Sequence, residues 1–89
     1  MPLWVRTLLV TALPAEAEPL LDAHRLHLRE LQRAGKLRIA GEFPGGDGFL
    51  EIFEADDRRE AETIAARSPL VEAGQASWLL RRWDELTFD

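Results

Sequence analysis

The chain has no cysteine, no tyrosine and no asparagine, and only one methionine and one lysine. Without cysteine there is no disulfide framework, no cysteine-bound zinc or iron–sulfur site and no thiol nucleophile. Basic residues are also scarce: 11 Lys and Arg stand against 16 Asp and Glu, a net charge of -5. A nucleic-acid binder needs a basic patch to displace counterions from phosphate. Here the arginines are scattered apart from Arg58-Arg59 and Arg81-Arg82, so no nucleic-acid partner is expected. No apolar run approaches the roughly 18–20 residues that span a bilayer, so no membrane partner is expected either. Residues 1–12 are apolar but lack a charged leader and a cleavage site, which predicts a cytoplasmic protein.

What remains is an ordinary globular composition, 46% hydrophobic and 30% charged over 89 residues. That length makes one domain, residues 1–89, with no repeat and no low-complexity linker. So short a chain buries only roughly 60–65% of its unfolded surface, and a partner copy would add to a thin margin.

Leu3 to Ala12 is almost continuously apolar and reads as a strand central in its sheet. Pro14 and Pro19 bracket the start of a helix. From Leu20 to Ala34 the period is helical, with Ala17, Leu20, Leu21, Leu28 and Leu31 on one arc and His24 near its middle. His27 falls at the edge of that arc and Leu26 opposite it, where it would meet another subunit; Gly35 closes the helix. Leu37 to Phe43 alternates, placing Leu37, Ile39 and Phe43 on one side and Arg38, Ala40 and Glu42 on the other. The cluster Pro44-Gly45-Gly46-Asp47-Gly48 is a hairpin turn into a strand over Phe49 to Ala55. Asp57 and Glu60 form a capping box for a helix over Arg58 to Arg67 that packs through Ala61, Ile64 and Ala65 and ends before Pro69. Ala76 to Trp83 is the last strand, and Asp84 to Asp89 a tail.

The order is β-α-β-β-α-β. With right-handed crossovers it predicts an α+β, ferredoxin-like domain: a four-stranded antiparallel sheet with two helices on one face. The first and last strands carry large apolar residues on both sides: Trp4 and Leu8 against Val5 and Leu9, Trp78 and Leu80 against Leu79 and Trp83. The chain has no third layer to cover the second face, which predicts a homodimer packed sheet against sheet.

The stretch His24-Arg-Leu-His-Leu-Arg-Glu-Leu-Gln-Arg-Ala-Gly35-Lys-Leu-Arg-Ile-Ala40-Gly41 resembles the signature of the YCII-related (YciI-like) family. Asp47-Gly48-Phe-Leu-Glu-Ile-Phe-Glu-Ala55 is similar to that family's glycine-led strand, and Glu60-Ala61 to its next helix. Ser68-Pro69-Leu70-Val71-Glu-Ala73-Gly74 resembles its Asp-Pro-Phe/Tyr-x-x-Ala-Gly segment, and Trp83 its aromatic before the tail. More distantly, the chain is similar to muconolactone isomerases and small monooxygenases. The resemblance implies a dimeric α/β barrel and an enzyme built on a His–Asp pair. Its histidine is His24; the aspartate position holds Ser68, which hydrogen-bonds an imidazole but does not raise its basicity as a carboxylate does.

Two functions follow. One is a small-molecule enzyme of hydrolase, lyase or isomerase type, without cofactor or metal. In it His24 is the acid/base and Ser68 orients an apolar or carbonyl-bearing ligand between the first helix and the sheet. The other is a non-catalytic dimeric module that binds a small molecule or a protein, the family aspartate being lost. Other candidates have plainer readings. His27 is a solvated residue before it is a metal ligand with His24 and Glu42. Glu42 and Asp47 are solvated acids before they are replacement carboxylates. Arg38 forms a surface ion pair on the face it shares with Glu42, rather than an anion site. Trp4, Trp78 and Trp83 are core or interface residues before they line a ligand cavity.

Overall fold

The computed structural model describes residues 2–11 and 14–88, without the side chains of Pro14, Glu16 and Ala17. Ala12, expected at the end of the first strand, and the arc position of the Ala17 side chain lie outside what is described. Strand β1 (Leu3–Val10) pairs antiparallel with β3 (Gly48–Glu54) on one side and with β4 (Ala76–Trp83) on the other. Strand β2 (Leu37–Glu42) pairs with β3 through the hairpin, giving the order β2-β3-β1-β4. The near-continuous apolar run of β1 thus does occupy the interior of a four-stranded antiparallel sheet. The even residues of β1 and the odd residues of β3 face the helices: Trp4 and Leu8 against Phe53 and Phe49, all buried.

Helix α1 (Pro14–Arg33) begins at Pro14, the first of the two prolines that bracket its expected start, and carries Pro19 inside it. Pro14 sits in the first turn with its φ already set for a helix, and the missing N–H of Pro19 costs one hydrogen bond that the helix absorbs. Gly35 ends it at φ +74, with Gly35 N–H donating to Gln32 O and Lys36 N–H to Leu31 O, a left-handed cap that strongly favours glycine. Helix α2 (Arg58–Ala66) starts at Asp57, whose carboxylate accepts from Glu60 N–H at 2.9 Å, the expected half of a capping box. The Glu60 carboxylate goes instead to Lys36, at 2.6 Å.

Three expectations are corrected. Pro69 does not merely end α2: it opens a four-residue helix, α3 (Pro69–Glu72), with Ser68 at the N-cap, because a proline in the first turn starts a helix as readily as it stops one. The strict alternation of β2 fails at Arg38, where a bulge between Leu37 and Ile39 turns Leu37 toward the helices while Ile39 stays on the open face. Arg38 therefore reaches Glu85 at 3.0 Å rather than Glu42, which is held by Arg25 at 2.6 Å.

The core under the helices has two parts. Trp4, Phe53, Ala55, Ala61, Ile64, Ala65 and Leu80 form one, and Leu8, Leu28, Phe49 and Leu70 the other. Trp78 packs against both, and Trp4 Nε1 donates to Ala55 O at 3.1 Å. Gly48 lies where β3 crosses β1 so closely that a Cβ would stand 2.6 Å from Leu8 O, which explains a glycine at the head of this strand. The opposite face of the sheet carries Leu9, Ile39, Leu50, Leu79 and Trp83, all exposed. Leu26 is exposed as well, on the outer side of α1. No helix among the described residues is long and apolar enough to cross a membrane.

Candidate functional site

The two halves of the core are separated by a row of polar side chains. On β1, Arg6 stands between Trp4 and Leu8; on β3, Glu51 stands between Phe49 and Phe53; the register sets them directly opposite each other. His24 from α1 and Ser68 from the N-cap of α3 complete the row, and all four residues are 0% exposed. Arg6 Nε donates to Glu51 Oε1, and Arg6 Nη1 donates to Ala65 O at 2.9 Å. His24 Nε2 lies 2.6 Å from Glu51 Oε2, and His24 Nδ1 lies 2.7 Å from Ser68 Oγ.

The chemistry of the partners sets the tautomer. A carboxylate oxygen only accepts, so Nε2 carries the hydrogen and donates to Glu51. In the neutral ring Nδ1 then accepts from the Ser68 hydroxyl; in the imidazolium the direction reverses. Ser68 occupies an N-cap, where a serine hydroxyl normally accepts from the helix N–H groups, worth about 1 kcal/mol. It makes no such bond and is given to His24 instead. Burial alone would raise the Glu51 carboxyl, but the His24 hydrogen bond and the Arg6 guanidinium outweigh it and hold it below the usual carboxylate range. The Arg6 and Glu51 charges cancel, which lets the row lie in an apolar interior.

His24 and Ser68 are thus brought together as expected. Glu42 and Asp47 are the exposed acids expected of them, Glu42 binding Arg25, and the carboxylate beside His24 is Glu51. Sequence reasoning missed both Glu51 and Arg6. The signal was present as a charged residue at the centre of each buried strand face, in Trp4-x-Arg6-x-Leu8 and Phe49-x-Glu51-x-Phe53.

His27 is not the solvated residue expected. Its ring lies 5.7 Å from that of His24, and its Nε2 is buried with no hydrogen-bond partner, as is Arg6 Nη2. Burial, then the charges of Arg6, His24 and Arg67, push its pKa down from 6.5 to about 4, against a smaller opposing effect of Glu51. The sign follows from linkage. Between pH 6.5 and 4 the unfolded chain takes up a proton at His27 that the folded chain refuses, so stability falls as pH falls through that window. The group is only half-buried, so after allowing for screening by water the loss is about 1–2 kcal/mol. Urea unfolding at pH 7.5 and pH 4.5 checks this: His27→Phe is expected to lose less stability between the two pH values than the wild type by that amount. Equal losses in the two proteins would contradict it.

Two clefts flank the row. One, of about 260 Å³, lies between α1 and the β2–β3 edge and is lined by Arg25, Leu28, Ala40, Gly41, Glu42 and Phe49. Phe49 packs edge-on to His24 at 4.4 Å, between that ring and the cleft it lines. The other, of about 170 Å³, lies between α1 and α2 and is lined by His27, Glu30, Leu31, Ile64 and Arg67. Trp83 stands on the open sheet face and lines a shallow cleft beside Arg38, while Trp4 is core.

Comparison with known proteins gives a consistent fold. The YCII-related domain matches residues 6–84. No curated protein matches the sequence significantly. Among solved structures, muconolactone isomerase superposes with a TM-score of 0.76 at 17% identity, covering 94% of this chain and 90% of that one. The 5-chloro-2-hydroxyhydroquinone dehydrochlorinase TftG of Burkholderia phenoliruptrix AC1100, in complex with 2,5-dihydroxybenzoquinone, superposes with a TM-score of 0.67 at 20% identity, covering 90% of this chain and 93% of that one. At such identities the likeness is one of fold.

Proposed function

The chain belongs to the YCII-related domain family, and from that premise we propose that it is a cofactor-independent small-molecule enzyme of hydrolase, lyase or isomerase type. It works as a cytoplasmic homodimer, with His24 as the acid/base and Ser68 as the hydroxyl that carries the proton between ligand and ring. The observation that carries this reading is the unbroken hydrogen-bonded row Arg6–Glu51–His24–Ser68. Glu51 fixes the tautomer that leaves Nδ1 free to accept and stabilises the imidazolium once formed; Arg6 keeps Glu51 ionised. Because His24 and Ser68 are closed off from solvent, a ligand reaches them only when the structure opens locally; the Ser68 hydroxyl then passes its proton to Nδ1 as it takes one from the ligand. Return of that proton to a neighbouring carbon completes an isomerisation, and its delivery to a leaving group completes an elimination.

The names of the two structural neighbours suggest first substrates: muconolactone and 5-chloro-2-hydroxyhydroquinone, within a panel of lactones, esters and enolisable carbonyl compounds. The wild-type protein is expected to turn over at least one of them, and His24→Gln to lower kcat/KM by about 100-fold or more while remaining folded. Failure of the wild type across the panel, or an unchanged rate in His24→Gln, would overturn the reading. One observation favours a second reading, a binding module without catalysis: His24 is wholly buried and both its nitrogens are engaged. Ligand-induced shifts in the His24 ring without turnover would support that alternative.

A further inference from the structure

Two buried nitrogens among the described residues lack a hydrogen-bond partner, Arg6 Nη2 and His27 Nε2. Buried polar atoms are almost always paired, so two orphans in one neighbourhood ask for an explanation. They belong to that neighbourhood on independent grounds: Arg6 is bonded to Glu51, Glu51 to His24, and the His24 ring faces His27. Arg6 Nη2 only donates, and His27 Nε2 donates in one tautomer, so the shared complement is an acceptor oxygen.

His27 also lines the α1–α2 cleft, together with Arg67, whose guanidinium adds a positive charge at the rim. Glu30 lines the same cleft and opposes a multiply charged anion. Leu31 and Ile64 supply its apolar wall. A space of about 170 Å³ accommodates a ligand of several heavy atoms.

We propose that the α1–α2 cleft is the ligand mouth of the site and that it selects a small monocarboxylate with an apolar body. Its carboxylate is received by His27 and Arg67 at the cleft, with Arg6 Nη2 the donor behind them, and its hydrocarbon part rests on Leu31 and Ile64. This deepens the acid/base reading of His24 and rests on it for the substrate class, while the binding step is separately observable. It also assigns a role to His27 and Arg67 that is distinct from proton transfer.

The test uses the full chain and benzoate as probe, with benzamide as its uncharged counterpart and inorganic phosphate as a multiply charged one. Binding is followed by NMR through the His27 ring and the Leu31 and Ile64 methyl groups. Benzoate is expected to shift these signals saturably, with benzamide and phosphate at least about tenfold weaker. Arg67→Gln, an exposed substitution that leaves the core intact, and His27→Phe are each expected to weaken benzoate about tenfold or more. Benzoate binding is expected to persist in His24→Gln, so a failure of catalysis leaves the inference standing. Equal shifts with benzamide, no saturation, or unchanged affinity in Arg67→Gln would overturn it, the orphan nitrogens then being satisfied by water only.

Discussion

Glu51→Ala is expected to destabilise the protein by about 3–5 kcal/mol, the range for removing one partner of a buried ion pair. The substitution takes the acceptor from Arg6 Nε and from His24 Nε2–H and leaves the buried guanidinium charge with Ala65 O alone. A domain of this size has about 5–15 kcal/mol in total, and each kcal/mol is worth about 4–8 °C in Tm, so the midpoint should fall by more than about 12 °C. Glu51→Gln keeps a hydrogen-bond acceptor but leaves the Arg6 charge uncompensated, and should fall between the two. The paired replacement Arg6→Met with Glu51→Leu is the informative control. It removes both charges together and should recover more than half of the loss, because no buried charge is then left without a partner and what remains unpaired is uncharged, the His24 Nε2–H and Ala65 O. Thermal and urea unfolding of these four proteins, together with the single Arg6→Met and Glu51→Leu variants that complete the cycle, measure this. A Glu51→Ala loss below about 1 kcal/mol, or strict additivity of the Arg6 and Glu51 substitutions, would show that the row is not a coupled unit.

Leu79→Asp is expected to raise the dissociation constant of the proposed sheet-to-sheet homodimer by about 1,000-fold or more. Leu79 lies on the open face of the sheet, 58% exposed, on the same side as Leu9, Leu50 and Trp83 and opposite the side covered by the helices. A two-fold interface uses the same patch twice, so one substitution introduces two unpaired carboxylates. At about 2 kcal/mol or more for each buried charge left without a partner, the sum reaches about three decades in affinity. The fold of the single chain should survive, because Leu79 takes no part in either half of the core. Light scattering with circular dichroism separates the outcomes. A wild-type protein that is monomeric at micromolar concentration, or a variant that associates as tightly as the wild type, would contradict the sheet-to-sheet dimer.

Much of the architecture was legible because each element obeys its own period. The near-continuous apolar run of β1 marked an interior strand; Phe49-x-Glu51-x-Phe53 alternates as a one-sided strand should; Ala61, Ile64 and Ala65 mark the buried stripe of α2. Period alone misplaced Leu37, because the bulge at Arg38 adds a residue to one strand without any mark in composition. It also hid α3, since Pro69 reads equally as a stop and as a start.

The site was half legible. His24 announced itself as a polar residue on an apolar helix arc, and Ser68 was drawn to it by the family pattern. Their partner Glu51 was passed over although it lies in a segment singled out for another reason. Pairing it with Arg6 depends on a cross-strand register between residues 45 positions apart, and that register is a property of the sheet, not of either strand. A charge on a buried strand face is the transferable signal, and two of opposite sign on two such faces are a prediction of contact.

Glu51 holds His24 as the Nε2–H tautomer, with Nδ1 turned to Ser68. Long-range nitrogen–proton correlation NMR of the imidazole rings reads this directly. The prediction is a His24 ring protonated at Nε2, with a slowly exchanging proton that loses its protection in Glu51→Gln and a Nδ1 signal that shifts in Ser68→Ala. A His24 ring protonated at Nδ1, or one that exchanges freely with water and is indifferent to Glu51, would contradict it.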